Sequence, residues 1–338
     1  MRYTNRPKLE ETVCVHLVSR VVQRRRLMDE RGMEEMRRLL DTQAAFAGLQ
    51  VITFCFLQNH FHLLVRVDPE TAREQVSDEE LIRRFRSLYG TKRSPSLGLD
   101  AEGLEIVLKR DDKRAAEARA RLLARMGDVS VFMREFKTRF TLWYNETYQS
   151  VGTFWAERFR SVLVEPGSLA LLAVAAYIDL NAVRAGLAEH PRDYRFCGLA
   201  EAESGNRRAR AAYRWLAGRA VRAQGPRDAP DSSEATIYAA YVAQVGRMCR
   251  QIAAERAALA AASSDGAKGV ASGSEAPAGG PFSGVASLLS NGRALGSRAW
   301  VEKLCRKGGV FGFLRDRQPK PITVEGVGDV HAARPWVR

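Results

Sequence analysis

In Leu57-Gln58-Asn59-His60-Phe61-His62-Leu63-Leu64-Val65-Arg66-Val67, every second residue from Phe61 onward is apolar. Side chains alternate between faces along a strand, so Phe61, Leu63, Val65 and Val67 form one unbroken apolar row suited to a core. His60, His62, Leu64 and Arg66 share the other face, which is expected not to be the main packing face. Two imidazoles then project side by side, about 7 Å apart at the backbone for a two-residue step. Both rings can converge on one divalent metal. They can equally be partly exposed strand histidines with no ligand, and only the rest of the chain separates the two readings.

Upstream, Val51 to Leu57 is a nearly continuous apolar run, expected to be a buried central strand. Gln58-Asn59 is a tight turn, so this run and the His-x-His strand pair as a hairpin. Thr12 to Val22 is β-branched and apolar, a further strand that carries His16, read alone as a structural histidine. Arg24-Arg25-Arg26 follows it. Glu30 to Phe46 then spaces Met33, Met36, Leu39, Leu40 and Phe46 as a helix does, with Gly48 to end it.

Downstream, Asp68 to Asp128 turns to charged helices and loops. Ser77 reads as an N-cap before the acidic turn Asp78-Glu79-Glu80, and Leu81, Ile82, Phe85 and Leu88 form an apolar stripe behind it. Lys113 to Met126 reads as an Ala/Arg-rich helix with a basic solvated face. Val131 to Tyr148 is another helix, with Phe132, Phe136, Phe140, Trp143 and Tyr144 on one side and Arg134, Lys137 and Arg139 around them. Such a stripe is either core or a base-stacking, phosphate-binding surface. Gly152 to Arg160 reads as a turn and Ser161 to Glu165 as a short strand. Ser168 to Ala185 is a helix closed by Gly186. Its apolar stripe (Leu171, Val174, Ala175, Ile178) lies beside a polar one of Tyr177, Asn181 and Arg184. This order of elements predicts an α+β fold, an antiparallel sheet covered by helices, with a mainly helical C-terminal extension.

The expected organisation is one domain over 1–203 with a helical insertion at about 69–128, then a helical extension over 204–262. A Ser/Gly/Ala/Pro-rich flexible linker follows over 263–281. A small segment of unknown role, 282–338, completes the chain; in it Val285 to Cys305 could form two helices around Asn291-Gly292 in a weak helix-turn-helix pattern.

The 338 residues carry 53 Lys plus Arg against 39 Asp plus Glu, a formal net charge of +14. That excess suits a polyanion, nucleic acid first among them, although an Arg-rich genome composition gives the same bias. No apolar run is long enough to span a bilayer. Met1 to Arg6 leads into charged sequence without a hydrophobic signal core, so a cytoplasmic protein is expected. Cys14, Cys55, Cys197, Cys249 and Cys305 are scattered without a C-x-x-C pair, against a disulfide framework or a Cys-type zinc site. Cys14 and Cys55 read as core residues.

Three pieces occur in order: Gln58-Asn59-His60-Phe61-His62-Leu63-Leu64, then Gly152-Thr153-Phe154-Trp155 with Arg158-Phe159, then Ala176-Tyr177-Ile178-Asp179-Leu180-Asn181-Ala182-Val183-Arg184-Ala185-Gly186. Together, over roughly residues 10 to 200, they resemble the single-tyrosine HUH transposases, most closely the branch associated with repetitive extragenic palindromes. The resemblance implies a ferredoxin-like HUH domain in which His60 and His62 bind a divalent metal, Mg²⁺ or Mn²⁺, and Tyr177 is the nucleophile. It further implies Asn181, one turn after Tyr177, as the third, amide ligand. Two departures stand out: Leu57-Gln58-Asn59 where the family usually has Met-Pro-Asn, and Ala182 where it usually has Pro. Ala182 lets the helix run on to Gly186.

The implied activity is metal-dependent cleavage and rejoining of single-stranded DNA through a 5′-phosphotyrosine, at hairpin-forming palindromes. Candidate nucleic-acid contacts are Arg134, Lys137, Arg139, Arg158, Arg160 and Arg184. The expected partner is single-stranded or hairpin DNA, in a nucleoid-associated monomer or homodimer with no membrane association. One alternative is a domesticated, non-cleaving binder of structured DNA or RNA. Another is a hydrolase with a water nucleophile, whose common His-x-His-x-Asp-His signature is absent here, since Leu63-Leu64-Val65 follows His62.

Overall fold

Runs of β-branched and aromatic residues build the strands around which everything else packs. They are β1 (Val13–Arg20), β2 (Leu49–Leu57), β3 (His60–Val67) and β4 (Arg160–Val164). The computed structural model describes residues 11–68, 70–74, 76–224, 234–264, 289, 294–306, 320–324 and 328–333. β2 and β3 form the hairpin through Gln58-Asn59, with Leu57 opposite His60. β1 pairs antiparallel with β3, Val18 facing His62, and with β4 on its other side. Three short strands from the C-terminal part extend the sheet: β5 (Ala294–Gly296), β6 (Lys320–Val324) and β7 (Gly328–Ala333), giving the order β2-β3-β1-β4-β5-β7-β6.

The helices, in chain order, are α1 (Glu30–Ala47), α2 (Asp78–Tyr89), α3 (Ala101–Leu108), α4 (Lys113–Leu123), α5 (Val129–Thr147), α6 (Leu169–Asp179), α7 (Asn181–Arg184), α8 (Gly198–Glu203), α9 (Arg207–Gln224), α10 (Glu234–Ser264) and α11 (Arg298–Arg306). Gly48 ends α1 at φ +66°, and the Ser77 hydroxyl caps α2 by accepting from the Glu80 N–H.

The two sheet faces carry separate cores. Phe61, Leu63, Val65 and Val67 pack with α1 and α5. Phe136 of α5 meets Phe61 edge-on at 5.7 Å, and Phe132, Phe136 and Phe140 are wholly buried. Of the two readings of that aromatic stripe, packing is the one realised. Leu64, Cys14 and Cys55 face the other way and join α6, α8, α9 and α10 in a second core. The histidine-bearing face is thus covered as well, contrary to the expectation that it lies away from the main packing. A third cluster, in α2, α3 and α4, closes over Phe46.

Three details differ from the pattern-based expectation. β2 is an edge strand, not a central one. Its apolar character follows from helices on both faces and from a covered edge: the Phe56 N–H donates to the Phe196 carbonyl at 3.0 Å, and the backbone of Cys55 makes an isolated antiparallel β-bridge with that of Cys197, both thiols remaining free. The helix expected over Ser168 to Ala185 breaks at Leu180 into α6 and α7. There the Asn181 side-chain amide donates to the Tyr177 carbonyl at 2.9 Å, competing with the backbone for that acceptor. Finally, Ala294–Gly296 is a strand; of the two helices read over Val285 to Cys305, the second is α11, and the first lies, apart from Leu289, outside the described residues. The proposed linker over 263–281 lies, beyond its first two residues, outside the described residues.

Candidate active site

β3 places His60 and His62 on the face covered by α6, with ring centres 5.1 Å apart at 79°. The β1–β3 register sets Val18 opposite His62, so His16, two residues earlier, is its diagonal neighbour on the same face. His16 Nε2 lies 2.9 Å from His62 Nδ1, with ring planes within 4° and centres 5.2 Å apart. Face-to-face rings cannot bring atoms that close, since non-bonded contacts settle near about 3.5 Å. The two rings therefore lie edge to edge in one plane, joined by an in-plane hydrogen bond.

His60 is oriented from its other neighbour. Its Nδ1 lies 2.6 Å from Asn59 Oδ1. A carbonyl oxygen only accepts, so His60 carries its proton on Nδ1 and presents a bare Nε2. The Asn59 amide is itself held by its NH2 group, which donates to the Arg24 carbonyl at 3.5 Å.

Both imidazoles are neutral near pH 7. Burial, with the Arg20 and Arg24 charges nearby, lowers the His60 pKa to about 4. Burial lowers His62 well below the ordinary imidazole value, and His60, His16, Arg184 and Arg20 push it the same way. His16 is lowered to about 3 by burial. A neutral imidazole is the form that binds a metal.

Helix α6 brings Tyr177 over the pair, its ring centre 5.7 Å from that of His62 in a T-shaped contact. The Arg184 guanidinium lies over the Tyr177 ring, 4.8 Å from its centre. Asn181 is buried, and its NH2 group donates to the Tyr177 carbonyl; its Oδ1 is the side-chain atom with lone pairs for a cation. The side chains present fit a divalent ion: the Nε2 lone pair of His60, the neutral imidazole of His62 and the amide oxygen of Asn181. Among the described residues no group of three or more His, Cys, Asp and Glu side chains is arranged to hold a metal. These three ligands would leave coordination positions open.

The structure thus gathers His60, His62, Tyr177, Asn181 and Arg184. Arg160 also belongs to this face: it is opposite Val18, which is opposite His62, so the three form one row across the sheet. Arg160 is exposed and pairs with Glu157 at 3.2 Å; Arg158 is exposed in the preceding loop. Arg134, Lys137 and Arg139 belong to α5, against the opposite face. Lys137 donates to the Glu157 carbonyl at 2.8 Å and lies 5.4 Å from the centre of the Trp155 ring, burial lowering its pKa to about 8. Arg139 stacks on Tyr89 at 5.0 Å.

With this geometry, the comparison with known proteins is specific. Residues 10–83 match the family described as Transposase IS200 like. No curated protein matches the chain. The matched stretch holds the strand–helix–hairpin unit with His16, His60 and His62 and ends before Tyr177. It supports the IS200-like transposase family without selecting a branch, and with it a DNA partner and a role in DNA cleavage and recombination.

Residue patterns did not single out Arg20, Arg24 or the partnership of His16. Arg20 is opposite His60 only through the β1–β3 register, and Arg24 reaches it through a turn in which Gln23 and Arg24 both have positive φ, 54° and 55°. The one local signal was His16 itself, a polar residue inside an apolar strand.

Proposed function

We propose that this chain cuts and rejoins single-stranded DNA by transesterification through Tyr177, at hairpin-forming palindromes such as those of the branch associated with repetitive extragenic palindromes. The observation that carries the reading is the placement of a tyrosine ring against His62 of a pair of neutral histidines, under an arginine and beside an amide. A non-cleaving binder has no need of that combination.

In this reading His60, His62 and Asn181 hold Mg²⁺ or Mn²⁺, which when bound polarises the scissile phosphate and offsets charge in the transition state. The Tyr177 hydroxyl oxygen attacks phosphorus and loses its proton to solvent. The bond to the 3′ oxygen breaks, and that oxygen leaves as a protonated 3′-OH. The 5′ phosphate remains on Tyr177, so the ester linkage is conserved and a second 3′-OH can reverse the step. Arg184 over the ring and Arg20 and Arg24 near His60 supply positive charge for the phosphate, while Arg158 and Arg160 continue it across the same face. No described helix is long and apolar enough to cross a membrane; a cytoplasmic, nucleoid-associated protein accords with the reading.

The test is a covalent-adduct assay with labelled single-stranded hairpins and Mn²⁺ or Mg²⁺ on a denaturing gel. A metal-dependent, protease-sensitive adduct is expected from the wild type and none from Tyr177→Phe, with hairpin binding retained and weakened by salt in both. Binding without any adduct across many hairpins overturns the reading in favour of a non-cleaving binder. Hydrolysis that survives Tyr177→Phe moves it to a water nucleophile.

A further inference from the structure

His16 lies in β1, far along the chain from Tyr177, and the steps above do not use it. Its Nε2 meets His62 Nδ1 at 2.9 Å in the plane of both rings. A neutral imidazole has one N–H and one lone pair, so one ring donates and the other accepts. If His16 donated, His62 would keep its own proton on Nε2, and that nitrogen could not bind a cation. If His16 accepts, the proton of His62 sits on Nδ1 and its Nε2 lone pair is available. His60 shows the second arrangement already, because Asn59 Oδ1 at its Nδ1 can only accept.

We propose that His16 is a positioning residue for the metal centre: it accepts the Nδ1–H of His62 and holds that ring in its metal-binding tautomer. The inference rests on the metal-site reading. Each ligand imidazole then has one acceptor at Nδ1, from the hairpin turn for His60 and from the neighbouring strand for His62. His16 keeps its single proton on its own Nδ1, and no proton is gained or lost across the pair. That Nδ1 is buried without a hydrogen-bond partner among the described residues. A buried N–H without a partner is unfavourable. A position serving packing alone would be better filled by an apolar side chain. Retaining a histidine here fits a demand at its other nitrogen.

The experiment is calorimetric titration of Mn²⁺ into the full chain, with nitrogen–proton correlation spectra of the imidazoles in the Mg²⁺-loaded wild type. Those spectra are expected to show the His62 proton on Nδ1. His16→Leu is expected to weaken Mn²⁺ binding by about 10–100-fold, the usual scale for losing an outer partner of a ligand, with its thermal midpoint kept or raised. His16→Gln, whose Oε1 can replace the acceptor, should recover most of the affinity. Wild-type Mn²⁺ affinity in His16→Leu, or a proton on His62 Nε2 in the loaded protein, overturns the inference and leaves the metal site standing. A wild type that binds no Mn²⁺ overturns the metal-site reading and this inference together. If His16→Leu does not fold, the tautomer measured in the wild type decides.

Discussion

Two polar clusters flank helix α6, and they are built in opposite ways. On one side, Tyr177 faces His62, one of two neutral histidines proposed to hold a metal. Two residues on, which is about 200° around a helix, Asp179 is fully buried with its oxygens taken up. Oδ1 accepts from Thr53 at 2.5 Å and Tyr213 at 2.7 Å, and Oδ2 accepts from Tyr241 at 2.6 Å. Thr53 follows the irregularity in β2, while Tyr213 and Tyr241 come from α9 and α10. The first cluster is built of neutral imidazoles beside an amide and a phenol. The second is saturated, and ties α6 to both the sheet and the C-terminal helices. In the proposed function the helix that carries Tyr177 is thereby tied to its surroundings on the side away from the histidines.

The contrast is most exposed to Asp179→Ala, which removes the carboxylate that accepts from three hydroxyls and leaves Tyr213 only Thr53 Oγ1, at 2.8 Å, to donate to. It is expected to lower unfolding stability by about 4 kcal/mol in urea titrations. His62→Ala should cost only about 1–2 kcal/mol on the same scale while abolishing Mn²⁺ binding. Equal stability losses at the two positions would erase the distinction.

The clusters also respond to pH with opposite sign. Burial raises the Asp179 pKa from 3.8 to about 6, against the pull of its hydrogen bonds. Its contribution to stability is therefore fully present below about 3.8 and is lost as pH rises through about 6. His60, at about 4, and His16, at about 3, lie below the ordinary 6.5. Their contributions are present above 6.5 and are lost as pH falls through the folded values. Asp179→Asn removes only the first effect. Its stability relative to wild type should rise between pH 4 and pH 7 by on the order of 3 kcal/mol, with acid destabilisation from the histidines retained. A flat difference would show that Asp179 titrates normally. Smallest of the set, Tyr241→Phe deletes one of the three hydroxyl donors and should cost about 1 kcal/mol, leaving Mn²⁺ affinity unchanged.

The site half of this comparison was readable from residue patterns, and the anchoring half was not. Alternation in β3 put His60 and His62 on one face, and helical spacing put Asn181 and Arg184 beside Tyr177. Asp179 gave no such signal: an acid inside Tyr-Ile-Asp-Leu-Asn looks like an exposed helix residue. Its donors lie 126, 34 and 62 residues away in sequence. The α5 stripe was readable as a stripe but not as core, because spacing is the same whether a helix faces protein or DNA. The edge position of β2 was misleading for a related reason, since burial by helices on both faces produces the composition of a central strand.

Strands, helix limits, the hairpin turn and the faces of single elements follow from interactions between residues a few positions apart, so the amino-acid order alone specifies them. Which nitrogen of each histidine is left for a ligand, which arginines surround the site, and what holds α6 in place depend on strand register and on helices from the far end of the chain. Those pairings are settled only when burial forces each polar group to find a partner across the fold.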